Sequence, residues 1–350
     1  MKQFDSLALT HETQVGLARR QIIRLASEAG LSELQLAEIE LVVNELGTNA
    51  LKFARGTGRI YFARADEQLE PRGIEIIYLD KGPGIEDTAM AISDGYSTTG
   101  SLGAGLGAIK RMSDEFYIYS ALESATRRLP MYGRTTHGTA IVFRKRVNRE
   151  DRAPEAVPGL WGAMTRPVEG HTDNGDAYVV RAQDHRLLLA VIDGLGHGEP
   201  ASEAARAAVA AIERTLTQPV ETIIRAAHEA LRMMRGAVMG VAAIDRAAGT
   251  IEYAGIGNTD IRLIGGRERL RFISLNGTLG SRLERVKVFK ENMPKVTTLI
   301  MATDGISERW ELDYYPGLIG LHPQLFCATV MRDFSRAGDD ATILCGRLQL

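Results

Sequence analysis

Glycine placement constrains this chain more than any other feature. Four of its 36 glycines (Gly100, Gly103, Gly105 and Gly107) fall within eight residues, just ahead of the helix-like run Ala108-Ile109-Lys110-Arg111-Met112. So much glycine argues against a helix or strand interior, while backbone N–H groups ahead of a helix can receive an anion. Other glycines follow acids in turns: Asp80-Lys81-Gly82-Pro83-Gly84, Asp193-Gly194-Leu195-Gly196-His197-Gly198 and Asp304-Gly305. Singly, each is more often a flexible loop or tight turn than a ligand site. Only their order along the chain and their flanking elements raise them above that reading.

Those elements follow from hydrophobic spacing. Val15, Ala18, Ile22, Leu25 and Ala26, then Leu34, Ile39, Leu41, Val42 and Leu46, recur at three- and four-residue steps and predict two helices across residues 15–54. Gly30 closes the first and Ser32 caps the second. Strand patterns at 59–63, 73–79, 115–120 and 139–143 complete an α/β layered domain ending near residue 147. Residues 144–154 are charged and lack an apolar stripe, which predicts a solvated linker rather than a nucleic-acid arm. Beyond it, apolar runs at 177–180 and 186–192 precede helices at about 200–216 and 220–235. Further strands are expected at 238–244, 250–254, 261–264, 296–302 and 341–345, giving sheets covered by helices. The alanines of 201–211 suit close helix-to-sheet packing; Met233, Met234, Trp161 and Trp310 are expected in cores. No internal repeat or low-complexity tract is evident.

Composition narrows the class. At 350 residues two domains are expected. Lys+Arg is 42 against Asp+Glu at 44, so no basic field invites nucleic acid. No run approaches the roughly 18–20 apolar residues of a membrane span. The start MKQFDSLALTHETQ lacks a signal-peptide core, and Cys327 and Cys345 cannot form a disulfide framework. The expectation is a cytoplasmic protein that binds neither nucleic acid nor membrane.

Three pieces of the first half combine. Glu45 and Asn49 are four apart on one helix face, Asp80 follows the strand ending at Leu79, and the glycine-rich stretch precedes a helix. With Gly138-Thr139 ahead of a strand, their order resembles the N, G1 and G2 boxes of the GHKL ATPase superfamily over roughly residues 10–147. Within it the chain is most similar to the RsbT/SpoIIAB group of serine/threonine switch kinases and anti-sigma factors, notably over residues 73–116 with Asp94-Gly95-Tyr96-Ser97-Thr98-Thr99. His11-Glu12 is the only candidate for a phospho-accepting histidine and lacks the proline, so a sensor histidine kinase is not expected. The resemblance implies that Asn49 ligates the Mg²⁺ bridging ATP phosphates and that Asp80, beside Thr139, accepts from the adenine amino group. It implies that Gly82 and Gly84 admit the nucleotide, that Gly103, Gly105 and Gly107 wrap phosphates, and that Glu45 positions and deprotonates an attacking serine. Residues 120–137 depart from the pattern, being longer and more basic (Arg127, Arg128, Arg134); an exposed loop is favoured over a docking insertion.

The second half scatters carboxylates through turns: Asn174-Gly175-Asp176, the Asp193 stretch, Thr303-Asp304-Gly305 and Gly338-Asp339-Asp340-Ala341-Thr342. Hard divalent cations take oxygen ligands, and paired ions can activate water for attack on a phosphoryl group. As an ordered set over roughly 158–350 these residues resemble the SpoIIE/RsbX branch of the metal-dependent (PPM) phosphatases. That implies two Mn²⁺ or Mg²⁺, with Asp193 bridging, the Gly194 carbonyl adding a ligand, Asp176 on one ion and Asp304 and Asp339 on the other. Asp340 is expected to support rather than ligate, and His197 to be structural near a helix start.

The resulting expectation is an α/β (α+β) protein: a Bergerat-type α/β sandwich over 1–147, a linker at 148–157 and a PPM-type α-β-β-α sandwich over 158–350. It would phosphorylate a serine or threonine of an RsbS/RsbR-like STAS-domain protein and dephosphorylate that partner or a related one, as a bacterial partner switch. The alternative is that the first half holds nucleotide only to sequester a sigma factor. A downstream regulator and a homodimer are further assemblies the resemblance admits. Two opposed activities running freely would waste ATP, so separate substrates or reciprocal gating are expected.

Overall fold

The computed structural model describes residues 2–65, 69–93, 105–126, 136–148, 157–265 and 268–349. Gly103, the run Asp94 to Thr99, the arginines 127, 128 and 134, and most of the expected linker lie outside the described residues. The chain divides into two compact units: Lys2–Ala153 with Glu311–Asp333, and Pro154–Trp310 with Phe334–Leu350. No helix among the described residues is long and apolar enough to cross a membrane.

The first unit runs β1 (Asp5–Ala8), α1 (Glu12–Ala29), α2 (Glu33–Phe53), β2 (Arg59–Arg64), β3 (Gly73–Leu79), α3 (Thr88–Ala91), α4 (Leu106–Met112), β4 (Glu115–Ala121), α5 (Glu123–Thr126) and β5 (Gly138–Arg146). Its antiparallel sheet has the order β1-β2-β3-β5-β4. The break between α1 and α2 forms as its local chemistry dictates. Gly30 sits at φ 95°, and Ser32 and Gln35 form a reciprocal capping box worth about 1 kcal/mol. Ile22, Ile39, Leu46, Ile76 and Phe143 bury the helical stripes against the sheet.

The structure corrects the start of the expected linker. Arg144, Lys145 and Arg146 end β5, and the first two are buried. Arg144 pairs with Glu70 and Glu75 at 2.7 Å and Glu115 at 3.0 Å, while Lys145 reaches the Met112 carbonyl at 2.7 Å and Glu38 at 2.5 Å. Charge here is paired inside the fold instead of solvated.

The second unit contains β6 (Leu160–Arg166), β7 (Asp176–Gln183), β8 (Arg186–Gly194), α6 (Glu199–Arg214), α7 (Val220–Ala230), β9 (Ala237–Asp245), β10 (Thr250–Ile256), β11 (Asp260–Gly265), β12 (Glu268–Phe272), β13 (Phe289–Asn292), β14 (Val296–Ala302) and β15 (Ala341–Gln349). Two five-stranded antiparallel sheets result, β13-β10-β9-β8-β7 and β12-β11-β14-β15-β6. Ala204, Ala205, Ala208 and Ala211 of α6 are buried in the core with Ile192 and Met239, as the small side chains suggest. Trp161 and Trp310 are buried.

The second helix is shorter than expected, ending at Ala230, and residues 231–235 turn toward Gly236 at φ 91°. Met233 is consequently 97% exposed and Met234 41% exposed, which overturns their assignment to the core. Late in the chain, two 3-10 turns (Leu312–Tyr314, Leu318–Gly320) lead into α8 (Pro323–Phe334), whose apolar residues, including Leu325, Phe326, Val330 and Met331, are buried.

Candidate functional site

In the first unit a cavity of about 850 Å³ is lined by Glu45 and Asn49 of α2, Tyr78 and Asp80 at the end of β3, Gly84 in the following turn, Gly105 at the start of α4, and Thr139 of β5. That volume suits a small organic ligand. One helix face and two adjacent strand ends thus bring Glu45, Asn49, Asp80 and Thr139 together. Asp80 is buried, and its Oδ1 accepts from the N–H groups of Gly82 (2.8 Å) and Thr139 (3.1 Å). Burial, together with the Asp80 carboxylate that accepts its hydroxyl, keeps the Tyr78 phenol protonated. Burial raises the Glu45 carboxyl above its ordinary value, although Lys52 and a hydrogen bond with Asn49 pull it back.

Two glycines are required by close approach. Gly84 has φ 84° and a Cβ there would lie 2.3 Å from the Ala121 carbonyl oxygen; Gly138 has φ 116° and its Cβ would fall 2.1 Å from the Asp80 oxygen. Gly82 passes close to the Phe53 carbonyl. His137 Nδ1 lies 2.7 Å from the Gly82 carbonyl, so that nitrogen carries the proton. Gly105 caps α4 at the cavity edge, whereas Gly107 is buried within the helix. Tyr78 and His137 had no assigned role in the sequence reading, because neither belongs to an acid–glycine turn.

In the second unit Asp176 opens β7 and Asp193 nears the end of β8, directly opposite each other in register. Asp304 follows β14 and Asp339 precedes β15, neighbouring strands whose ends carry both turns to one side of the sheet. Like charges directly opposite are unfavourable. Burial pushes the Asp193 carboxyl up to about 9, with the carboxylates of Asp176, Asp304 and Asp339 adding to it and a hydrogen bond joining it to Asp304. Asp176 is raised by burial and by Asp340 and Asp339, against an opposing 2.6 Å bond from the Thr303 hydroxyl. Asp339 is raised by burial, Asp304 and Asp340.

Asp340 is engaged otherwise: its carboxylate accepts from the N–H of Val168 (2.7 Å) and Gly175 (2.9 Å). Asn174 holds the Asp176 N–H at 3.0 Å, and Asn258 donates to Asp304. Gly194 has no room for a side chain, its Cβ position lying 2.2 Å from the Ala201 oxygen. His197 is exposed, edge-on to His171 at 4.7 Å, and next to Gly198, the N-cap of α6. Among the described residues no three His, Cys, Asp or Glu side chains are gathered tightly enough to form a ready-made ion cage. Three raised carboxyl groups (Asp176, Asp193 and Asp339) with Asp304 beside them nevertheless fit a divalent cation chemically, since a cation relieves the repulsion that otherwise keeps protons bound.

The histidine kinase-like ATPase domain model matches residues 8–131, and the stage II sporulation protein E (SpoIIE) model matches 183–349. The chain is 38% identical over 111 residues to the serine/threonine-protein kinase RsbT of Bacillus subtilis (strain 168), covering 31% of this chain and 82% of that protein. It is 29% identical over 140 residues to the phosphoserine phosphatase RsbX of the same organism, covering 40% of this chain and 70% of the relative. A solved chain described under "The bacterial stressosome: a modular system that has been adapted to control secondary messenger signaling" matches with TM-score 0.52 and 27% identity, over 54% of this chain and all of that one. The chain therefore belongs to the RsbT-like histidine kinase-like ATPase family through its N-terminal part, fused to a phosphatase domain of the SpoIIE/PPM family.

Proposed function

We propose that this chain is a bifunctional partner-switching regulator. Residues 1–147 transfer phosphate from ATP to a serine or threonine of a STAS-domain protein; residues 158–350, beyond a linker at 148–157, carry a Mg²⁺- or Mn²⁺-dependent phosphatase acting on that partner or a related one. The observation that supports it most is the coexistence on one chain of a cavity lined by Glu45, Asn49 and Asp80 and a separate cluster of four aspartates.

In the kinase reading, Asp80 and Thr139 receive the adenine edge. Asn49 offers its amide oxygen to Mg²⁺, which when bound neutralises phosphate charge. Glu45, raised by burial and steadied by Asn49, takes the proton of the attacking seryl hydroxyl. In the phosphatase reading Asp176, Asp193, Asp304, Asp339 and the Gly194 carbonyl hold a metal pair, which when bound acidifies water and clamps the phosphoryl group. Thr303, Asn258 and Asp340 orient the carboxylates and their backbone.

The test is incubation with labelled ATP and candidate STAS proteins, followed by Mn²⁺-dependent release. Asn49→Ala abolishes transfer and leaves release intact, and Asp193→Ala does the reverse. Loss of both activities in Asn49→Ala sinks the two-site reading. ATP binding without transfer to any STAS protein favours the sigma-sequestering alternative.

A further inference from the structure

The residues Glu311–Asp333 belong to the same compact unit as Lys2–Ala153, although they follow more than 150 residues later. Near the end of α8, the buried guanidinium of Arg332 bonds to backbone at and near Asp80, a residue that lines the cavity. Nη1 donates to the backbone carbonyl of Asp80 at 2.8 Å, and Nη2 donates to that of Thr136 at 3.1 Å. Asp333 holds the guanidinium through bonds of 2.8 Å from Nε and 2.7 Å from Nη2. The same carboxylate accepts from the Tyr315 hydroxyl at 3.0 Å and lies 3.7 Å from Lys81 Nζ.

These contacts converge on one piece of backbone. Asp80 and Thr139 are already tied by a 2.9 Å bond from the Asp80 N–H to the Thr139 carbonyl and by the carboxylate–amide bond at 3.1 Å. Gly138 passes between them with no room for a Cβ. Arg332 adds a charged crosslink between the residue just after β3 and the residue two places before β5. A planar guanidinium with several fixed donors is suited to bridging two carbonyls, where an ammonium is a single point charge. Buried charge–carbonyl bonds are also strong enough to fix a turn whose own length leaves it free to shift.

We propose that Arg332 is a positioning residue for the base-reading turn, so that a segment more than 150 residues further along the chain sets adenine affinity and selectivity. The proposal rests on the nucleotide reading given above. Arg332 touches neither base nor phosphate in it; it acts through the Asp80 and Thr136 carbonyls on the backbone that leads to Thr139.

The experiment uses the full chain, a fluorescent ATP analogue with Mg²⁺, and competition by ATP, GTP and inorganic tripolyphosphate. Arg332→Gln weakens ATP by roughly tenfold, the scale of one charge-assisted hydrogen bond. It narrows the ATP-over-GTP preference in parallel, while tripolyphosphate competes as it does with the unaltered protein. Arg332→Lys recovers part of the preference. Tyr315→Phe, which removes only a hydroxyl behind Asp333, shifts it by a smaller factor and provides the measurement if Arg332→Gln does not fold. An equal loss for all three competitors means a general structural role and overturns the proposal, as does an unchanged ATP-over-GTP ratio in the variants. Failure of the unaltered protein to bind ATP overturns the nucleotide reading and this proposal with it, an outcome distinct from the other two.

Discussion

In the unit that carries the cavity of Glu45, Asn49 and Asp80, buried charge is balanced by its own side chains. Arg144 sits among Glu70, Glu75 and Glu115, and Lys2 reaches Glu70 at 2.6 Å and Glu75 at 2.8 Å. Burial alone would raise Glu115, yet Arg144 and Arg146 outweigh it and bring that carboxyl down to about 2. In the other unit burial, and with it the neighbouring carboxylates, raises Asp176, Asp193 and Asp339. The first cluster is complete as folded, so its charges serve structure. The second becomes favourable only when a cation arrives, which is the arrangement expected of a site that binds and works.

The largest test of this contrast removes the cation from the balanced cluster. Arg144→Met leaves Glu70, Glu75 and Glu115 with only Lys2 and Arg146 to balance them and lowers the stability of its unit by about 3–5 kcal/mol, seen as an earlier first transition in denaturant. A small change would show that the cluster is not self-sufficient. The next test adds a cation to the acidic cluster. Asp193 is held near 9 against an ordinary 3.8. A carboxyl raised in the fold binds more protons folded than unfolded, so metal-free stability falls as pH rises from 3.8 to about 9. Mg²⁺ or Mn²⁺ at a hundred times its dissociation constant restores about 2.7 kcal/mol, and thermal melting with chelator and with metal should show the slope flatten. A metal-insensitive profile would remove the cluster from consideration as an ion site. The smallest effect comes from Asp304→Asn without metal. Relieving one like charge raises stability by about 1 kcal/mol while abolishing the metal-induced shift in melting. Destabilisation there would mean that Asp304 is structural.

How much of this was legible depended on how local each cause is. The break between α1 and α2 needs only Gly30, Ser32 and Gln35, and the chain states it directly. Glu45 and Asn49 share a face by helical spacing alone, and Asp80 follows a plain strand pattern. Arg144 and Lys145 read as a solvated hinge because their partners, Glu75 and Glu38, are distant in sequence. Met233 and Met234 read as core because composition does not reveal where α7 stops. In the acidic cluster the aspartates were visible because each adjoins a glycine in a turn, whereas Asn258, which donates to Asp304, does so without belonging to an acid–glycine pair. Arg332 was invisible for the same reason as Arg144: its meaning lies entirely in carbonyls elsewhere.

That distance has a consequence during synthesis. Asp80 and Arg332 are 252 residues apart. At about 5–20 residues per second, the turn at Asp80 leaves the ribosome roughly 10–50 s before the guanidinium that crosslinks it exists. The hydrogen bonds of Asp80 itself to Gly82 and Thr139 are available once Thr139 has emerged. An N-terminal fold that could otherwise mature early thus acquires its finished turn at Asp80 only after Arg332 has been made, and a product that stops before that residue is born with a looser one.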